Sequence, residues 1–338
     1  MKILVENSTW NNIGDGWYQF SIYYLLKTLF PEHNVVLGEG PINRAFRIKK
    51  DYLFENALNL MEYQTADLHV FSGPMMPSII DHYGPTIKKI INRGSKYCIV
   101  SASGTGITES KSREIGEFIS KYSPSFVTTR DEETFIWMKN YVRNIYNGIC
   151  TAFLVGRTIN PMRFEMEKPF FVSSFYTELE PFFSLPKDKP CTIENIELKH
   201  NPTMLGLPFW LSRHLNFKRK QQVEVGDMFI VRTIQNLNTR FNHINFAMPN
   251  SFISFNPMSY LEVVNSSEFT ISDRVHACAV SLALNKPARF LFNTPRAGIF
   301  DRMGFDYKAN KGIMYPNMDK IDEEKYKLEK EILTFIAG

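Results

Sequence analysis

The sequence has few cysteines, and none of them forms a Cys-x-x-Cys pair. The four cysteines in 338 residues are Cys98, Cys150, Cys191 and Cys278. Disulfide frameworks and zinc sites both need cysteines at close spacing, so this pattern disfavours both. We interpret the four as reduced core residues of a cytosolic protein, and we predict neither a metal ion nor an organic cofactor.

Long apolar runs and long basic runs are also absent. No segment approaches the ~20 apolar residues of a membrane-spanning helix. The N-terminal run Met-Lys-Ile-Leu-Val is too short for a signal peptide. With a net charge of only +4, no stripe for nucleic acid is predicted. We therefore expect a cytoplasmic protein whose partners are small anions or a membrane surface.

The glycine-rich fingerprints of nucleotide-binding proteins are missing too. The first predicted strand, residues 3–5, leads into a polar loop, residues 7–16, that contains Asn12-Ile-Gly14-Asp15-Gly16. This run is neither the Gly-x-Gly-x-x-Gly of dinucleotide-binding proteins nor the Gly-Lys-Ser/Thr of a P-loop. Nicotinamide chemistry and nucleotide hydrolysis are therefore disfavoured.

Strands and helices alternate along the chain, which predicts an α/β fold with parallel sheets. In the first half, the predicted strands are 3–5, 34–37, 67–72, 96–101, 125–129 and 144–149, and the predicted helices are 17–29, 77–92, 109–122 and 130–141. In the second half, the strands are 170–174, 228–231 and 244–247, and the helices are 234–241 and 258–265. A strand–helix–strand unit at 269–291 follows, and then a charged helix at 320–336.

The length favours two domains of roughly 150 residues each. We predict an N-terminal Rossmann-like domain over residues 1–151, a Pro-containing linker over 152–168, and a C-terminal Rossmann-like domain over 169–319. The final segment, 320–338, is expected to pack back on the first domain. Two Rossmann-like domains that face each other across a cleft are the most economical architecture.

The unit at 269–291 places an arginine and a histidine where a helix begins. Apolar and small residues recur at helical spacing, namely Val275, Cys278, Ala279, Leu282 and Ala283. Ser272 is the predicted N-cap, and Asp273 suits the first turn. Arg274 and His276 then lie beside free backbone N–H groups, where a phosphate or carboxylate binds.

Each of these two residues also has an ordinary structural interpretation. Arg274 alone suits a surface ion pair, for example with Glu268, and His276 alone suits a satisfied histidine on an apolar helix. Their joint position after a strand favours function, because ligands of open α/β sheets bind at the carboxyl ends of strands. Two further polar groups follow predicted strands in the same way, the Asn12–Asp15 run and Arg130-Asp131.

Together these segments resemble the polysaccharide pyruvyl transferase family. The similar motifs are Ser272-Asp-Arg274-Val-His276 with its alanine-rich helix, Asn12-Ile-Gly14-Asp15, the strand ending in Arg130-Asp131, the strand 67–72 with the turn after it, and the glycine turn Ser103–Gly106. The resemblance covers the N-terminal domain and about 231–304, but not 170–226.

The resemblance implies a two-domain fold like that of the GT-B glycosyltransferases, with the N-terminal domain on the acceptor side. It also implies transfer of the enolpyruvyl unit of phosphoenolpyruvate to a sugar of a cell-surface polysaccharide or its lipid-linked precursor. The products are a pyruvate ketal and phosphate. Arg130 and Arg274 would bind the donor, His276 would deliver a proton, and Asp15 would orient or deprotonate the acceptor hydroxyl. The further substrate contacts would be Asn12, Gly14, Ser272, Gly104, Gly106 and Arg296.

The chain departs from the family pattern at two points. Arg296 stands where the family usually has a lysine, which keeps the charge and changes the geometry. Pro74 stands where a flexible glycine is expected, and proline fixes φ and lacks an N–H donor. The acceptor is therefore expected to differ from those of better-known members.

Two other functions fit parts of the pattern. A GT-B glycosyltransferase would place the phosphates of a nucleotide sugar on Arg274 and its ribose on Glu262 or Glu268. A non-catalytic carbohydrate-binding relative would keep only the fold, yet Asp15, Arg130 and His276 are all retained.

A membrane contact is predicted near Phe209–Lys220, where an apolar segment with a tryptophan precedes a basic cluster. Aromatic residues at headgroup depth and cations near anionic lipid favour this interpretation. A buried segment followed by a solvated basic turn explains the same residues.

Overall fold

A computed structural model describes residues 1–7, 12–42, 57–199, 222–235 and 246–337. Its first sheet is fully parallel, with the strand order β2-β1-β3-β4-β5-β6. Its strands are β1 (Lys2–Val5), β2 (Asn34–Leu37), β3 (Leu68–Ser72), β4 (Lys96–Ala102), β5 (Val127–Thr129) and β6 (Ile145–Asn147). Because all strands run one way, their carboxyl ends form a single edge.

The second sheet is built mainly from parallel strands of the second half. Its strands are β7 (Phe170–Ser174), β10 (Glu224–Val225), β11 (Met228–Thr233), β12 (Ser251–Phe252), β13 (Thr270–Ser272), β14 (Ala288–Phe290) and β15 (Ile313–Met314), and β8 (Phe182–Ser184) with β9 (Glu197–Lys199) forms a separate antiparallel pair. The order is β10-β11-β7-β13-β14-β15, with β12 beside β11. Only β10 and β15, at the two ends of this order, are antiparallel to their neighbours.

The helices pack on and between the sheets. They are α1 (Ile13–Leu29), α2 (Gly84–Asn92), α3 (Glu109–Lys121), α4 (Glu132–Met138), α5 (Pro257–Ser266), α6 (Val275–Ala283), α7 (Gly298–Arg302) and α8 (Met318–Ala337). Helix α1 contacts α5, α6 and the short 3-10 helix Thr151–Leu154. Trp17 Nε1 donates to Pro257 O (3.0 Å), and Thr151 Oγ1 donates to Tyr18 O (3.2 Å). One apolar core therefore joins strands of both sheets.

The predicted α/β class is confirmed, and most predicted elements appear within a few residues. One helix differs, because the stretch predicted as a single helix at 77–92 is three pieces. A 3-10 turn at Met76–Ser78 and a π-helical turn at Ile79–Tyr83 precede α2. Pro77 and Pro85 lack backbone N–H groups, so regular α-helical hydrogen bonds cannot continue through this stretch. The predicted helix 234–241 and strand 244–247 lie largely outside the described residues.

The last helix, α8, lies against the first sheet's domain. The ring of Phe335 stacks on that of Phe126, with centroids 5.1 Å apart. Leu328 is fully buried next to Gly148. Arg157 and Glu329 form an ion pair (2.7 Å) at the same helix. None of the helices in the described ranges has the length and apolar character needed to cross a bilayer.

Replacing Leu328 by alanine should destabilise the protein, because the buried side chain would leave a cavity beside Gly148. The expected loss is about 2–5 kcal/mol of unfolding free energy, measured by urea titration. The matched control is Leu333→Ala on the same helix, where the side chain is 37% exposed. The control should change stability by less than about 0.5 kcal/mol. Equal effects of the two substitutions would contradict this packing.

Candidate active site

The turn from β13 to α6 is held by a buried serine. Ser272 Oγ donates to Ser174 O (2.6 Å) and accepts from the Arg274 backbone N–H (2.8 Å). The prediction that Ser272 is the N-cap is wrong, because Arg274 occupies that position and the helix starts at Val275. The serine hydroxyl instead joins β7 to the turn. It thereby fixes where the arginine leaves the backbone.

The sequence predicts Asp273 in the first turn of α6, but Asp273 lies before the start of that helix. Its carboxylate accepts hydrogen bonds from the backbone N–H groups of Tyr176, Thr177 and Glu178, at 2.5–3.1 Å. Burial raises the pKa of Asp273, and these hydrogen bonds and Arg274 act in the opposite direction. These hydrogen bonds to the Asp273 carboxylate, which we call the Asp273 clamp, hold the loop after β7. The Tyr176 ring of that loop lies 5.1 Å from the Arg274 guanidinium carbon.

Helix α1 begins earlier than predicted and brings its first turn to Arg274. The prediction of a loop to Gly16 and a helix from Trp17 is wrong, because the helix starts at Ile13. Two glycines in the first turn lower helix propensity, but packing outweighs this. Ile13 N donates to Gln235 O (2.9 Å), which ties the helix start to the second domain.

Asn12 links Arg274 to Asp15. Its side-chain oxygen accepts a short hydrogen bond from Arg274 Nη2, and its Nδ2 donates to Asp15 Oδ1 (3.0 Å). Asp15 itself is only 7% exposed. The ordinary interpretation of Arg274 as a surface partner of Glu268 therefore fails, since Arg274 reaches across to the other domain.

Arg130 and His276 meet between the two domains. Arg130 follows β5, is 2% exposed, and places Nη1 3.1 Å from His276 Nε2. Its Nη1 is also 3.9 Å from Cys150 Sγ, and its Nε has no hydrogen-bond partner among the residues that the structure describes. Asp131 caps α4 by accepting from Thr134 N (2.8 Å). The backbone at Asp131 therefore directs Arg130 inward.

Two residues of α1 shape the surroundings of His276. The Tyr18 ring meets the imidazole edge to face, with centroids 5.2 Å apart. A Cβ on Gly14 would lie 3.0 Å from His276 Nδ1 and 3.1 Å from its Cβ. Gly73, after β3, has φ +77° and no side chain to collide with Tyr18, whose hydroxyl would be 2.5 Å from an added Cβ. Glycines thus allow both close approaches.

The electrostatics of the site are dominated by positive charge. The pKa of His276 is lowered well below its ordinary range, and withdrawal of the ring from water is the largest cause. The positive charges that add to this effect belong to Arg130, Arg274 and Arg296. The ring is therefore neutral at neutral pH. Burial also lowers the pKa of Arg274, and Asp273 and Asp15 partly oppose this.

The remaining predicted contacts lie toward the rim. Gly104 N donates to Thr134 Oγ1 (2.8 Å) and Gly106 N donates to Glu133 Oε1 (2.9 Å), so both amides already have acceptors within the first domain. A Cβ on Gly106 would nevertheless lie 3.4 Å from Pro295 Cγ of the second domain. Arg296 is exposed in the 3-10 helix Pro295–Ala297, which follows β14.

Sequence reasoning missed three contributors. Tyr18 has the helical spacing of a core residue, and nothing in that pattern shows that its ring meets a histidine. Tyr176 lies in a segment with no recognisable motif. Asp273 was assigned to the helix that it precedes. Within the described ranges, no group of three or more His, Cys, Asp or Glu side chains is arranged to hold a metal ion.

Comparison with known proteins gives a family and a fold. The family model described as "Polysaccharide pyruvyl transferase" matches residues 12–293. That match spans every predicted site residue except Arg296. Among curated proteins, no significant sequence match is found.

Several solved structures share the architecture. UDP-N-acetylglucosamine 2-epimerase from Rickettsia bellii is 11% identical with a TM-score of 0.53, over 100% of this chain and 96% of that one. The Neisseria meningitidis enzyme bound to UDP-GlcNAc is 10% identical with a TM-score of 0.51, over 99% and 100%. At such identities the likeness concerns the fold alone. It confirms two Rossmann-like domains in a GT-B-like arrangement.

Asp273→Asn should loosen the loop after β7, because an amide cannot accept all of the backbone hydrogen bonds that the carboxylate accepts. We expect faster hydrogen exchange at Thr177 and Glu178 and a loss of about 1–3 kcal/mol of unfolding free energy. The control is Asp81→Asn, an exposed position in the π-helical turn. Unchanged exchange at both amides would contradict the clamp.

Proposed function

The chain belongs to the polysaccharide pyruvyl transferase family and is a transferase, and we propose that it moves the enolpyruvyl unit of phosphoenolpyruvate onto a saccharide. A saccharide acceptor is what the family implies. The observation that carries the choice of donor is the convergence of arginines from both domains on one neutral histidine. The proposed products are a pyruvate ketal of the saccharide and inorganic phosphate.

The donor carries a carboxylate and a phosphate, and the site offers a surplus of positive charge. The arginines that act on His276 are Arg130, Arg274 and Arg296. Of the nearby carboxylates, Asp273 is occupied by three backbone N–H groups. Arginine forms bidentate, charge-assisted bonds with both carboxylates and phosphates. The first turn of α6 adds the positive end of its helix dipole.

The proposed reaction begins with protonation of the donor's methylene carbon by His276. The neighbouring carbon becomes cationic, and an acceptor hydroxyl attacks it. The C–O bond to phosphate then breaks, and a second hydroxyl closes the ketal. The two hydroxyl protons balance the one added to the methylene carbon and the one carried away by phosphate.

The role assigned to Asp15 in this proposal is to take up a hydroxyl proton. Its Oδ1 accepts from Asn12 Nδ2, so the carboxylate is oriented by the residue that also contacts Arg274. This arrangement puts the proposed base and the proposed donor ligand on one hydrogen-bonded chain. The exposed Tyr176 ring, 38% accessible, lies beside Arg274 on the open side.

The nucleotide-sugar alternative is less well supported. It needs an acidic residue near the ribose, and Glu268 lies at the wrong end of β13. Its backbone N–H bonds Phe170 O, the first residue of β7, whereas Arg274 follows the last residue of β13. Glu262 lies within α5. The carbohydrate-binding alternative does not explain why Asp15, Arg130 and His276 are brought together.

We also propose that the acceptor is a cell-surface polysaccharide or its lipid-linked precursor, as in the family resemblance, and that transfer takes place on the cytoplasmic side of the membrane. The segment predicted to touch the membrane, near Phe209–Lys220, lies outside the described residues. That contact stays a prediction.

The donor assignment is tested by calorimetry with phosphoenolpyruvate and by phosphate release in the presence of candidate polysaccharide or lipid-linked acceptors. His276→Gln should bind the donor and release phosphate about 10²–10⁴-fold more slowly, because the general acid is lost. His33→Gln, at the amino end of β2, should behave as the wild type. Absence of donor binding by the wild type overturns the donor assignment, and full activity of His276→Gln overturns the acid assignment.

Gly14→Ala should impair turnover through His276, because the added Cβ would lie 3.0 Å from Nδ1. A displacement of about 1 Å at a reacting group costs on the order of 10²-fold in rate. Gly84→Ala is the control, since its nearest contacts would be ordinary ones at 3.5 Å. Both variants should keep the wild-type fold by circular dichroism, and wild-type kcat in Gly14→Ala would contradict the prediction.

A further inference from the structure

The contact between Arg130 and His276 identifies which imidazole nitrogen carries the proton. A guanidinium group is always protonated, donates hydrogen bonds and cannot accept them. Since Arg130 Nη1 is 3.1 Å from His276 Nε2, that nitrogen must be the acceptor. The ring is therefore neutral, with its proton on Nδ1, the nitrogen that lies nearest Gly14.

This state is not the one that delivers a proton. A neutral imidazole is a poor acid, whereas the imidazolium ion is a good one near neutral pH. Forming the imidazolium requires a proton on Nε2, and that proton would point at the donor N–H of Arg130. The two groups cannot keep their present contact when His276 is charged.

The hydrogen bonds of the Arg130 guanidinium are ones that an anion can replace. It is 2% exposed, yet within the described part of the chain it forms no ion pair. Its Nε is without a partner, and its other contact is the weak acceptor Cys150 Sγ. A carboxylate or phosphate offers Arg130 stronger, charge-assisted hydrogen bonds than an imidazole or a thiol does.

The charged groups that act on His276 come from both domains. The first domain contributes Arg130, and α1 contributes the uncharged Gly14 and Tyr18. Asp15, in the first turn of α1, acts on Arg274 and is hydrogen-bonded to Asn12, the residue before the helix. The second domain contributes Arg274 and Arg296. Three positive charges thus act on the ring, while Asp15 is hydrogen-bonded to Asn12 and Asp273 is turned toward the loop after β7. A trianionic ligand would offset these three charges.

We propose that binding of the donor activates His276 as the acid, and we call this the arming step. The anionic groups of the donor draw Arg130 away from His276 Nε2, and the freed nitrogen takes a proton from solvent. The resulting imidazolium then protonates the methylene carbon and returns to the neutral state. This mechanism rests on the proposed function. It keeps the enzyme without an active acid until the donor is bound.

The pH dependence follows from the sign of the charges. In the free enzyme burial and, after it, the three arginines lower the pKa of His276; bound donor opposes the arginines, so the pKa rises on binding. The rate constant kcat/KM reports the free enzyme, and kcat reports the complex. Both fall as pH rises through the respective pKa, and kcat falls at the higher pH. Arg130→Met removes one cation and should narrow the gap between the two profiles.

The direct test combines nitrogen-15 NMR of labelled histidines with calorimetry in buffers of different ionisation enthalpy. The free protein should show His276 protonated on Nδ1 alone, and saturating phosphoenolpyruvate should protonate both nitrogens. Binding at pH 7 should take up about one proton more in the wild type than in His276→Gln. The matched control Arg113→Met, at an exposed arginine of α3, should match the wild type.

The outcomes separate the two proposals. A free-state proton on Nε2, or donor binding that leaves the His276 ring unchanged, overturns the arming step and leaves the donor assignment intact. Absence of donor binding overturns both. Proton uptake in the wild type together with double protonation of the ring supports the arming step, whether or not Arg130→Met folds.

Discussion

The hydrogen bonds that cross between the two domains are the constraint on which the site depends. Arg130 reaches His276, and Arg274 reaches Asn12, so each domain supplies an arginine to a residue of the other. Neither half of the site is complete alone. The apolar packing of α1 against α5 and α6 holds this geometry, and Gly14 lets the first turn of α1 approach His276 closely. The packing of the apolar core thus fixes the distance between the groups that the two domains contribute to the site.

The charge distribution follows from how the acidic groups are used. Asp273 is adjacent to Arg274 in sequence. Its carboxylate, however, accepts hydrogen bonds from the backbone N–H groups of Tyr176, Thr177 and Glu178. Asp15 is oriented by Asn12. The arginines are therefore left with more positive charge than the local carboxylates neutralise. Burial of the ring and, after it, these positive charges lower the pKa of His276, and the same charges favour a multiply charged anion.

The sequence predicts the fold well because its strands and helices alternate with clear hydrophobic periods. The sequence also predicts that Asp15, Arg130, Arg274 and His276 lie at the carboxyl ends of strands, since each follows a predicted strand. It does not reveal local hydrogen bonding. Ser272 and Asp273 have the composition of a helix cap, yet their side chains bond to β7 and to the loop after it. Likewise, the predicted polar loop to Gly16 puts the start of α1 too late, because the packing that stabilises its first turn comes from the other domain.

The return of α8 to the first sheet has a mechanical consequence. The chain passes from the first domain to the second after Thr151–Leu154, and it comes back when Leu328 and Phe335 pack beside Gly148 and Phe126. Along the described part of the chain, the two domains are therefore joined by two covalent crossings. A single tether permits a swivel in any direction, whereas two tethers define an axis. Relative rotation of the two domains is therefore restricted to the axis that passes through the two crossings.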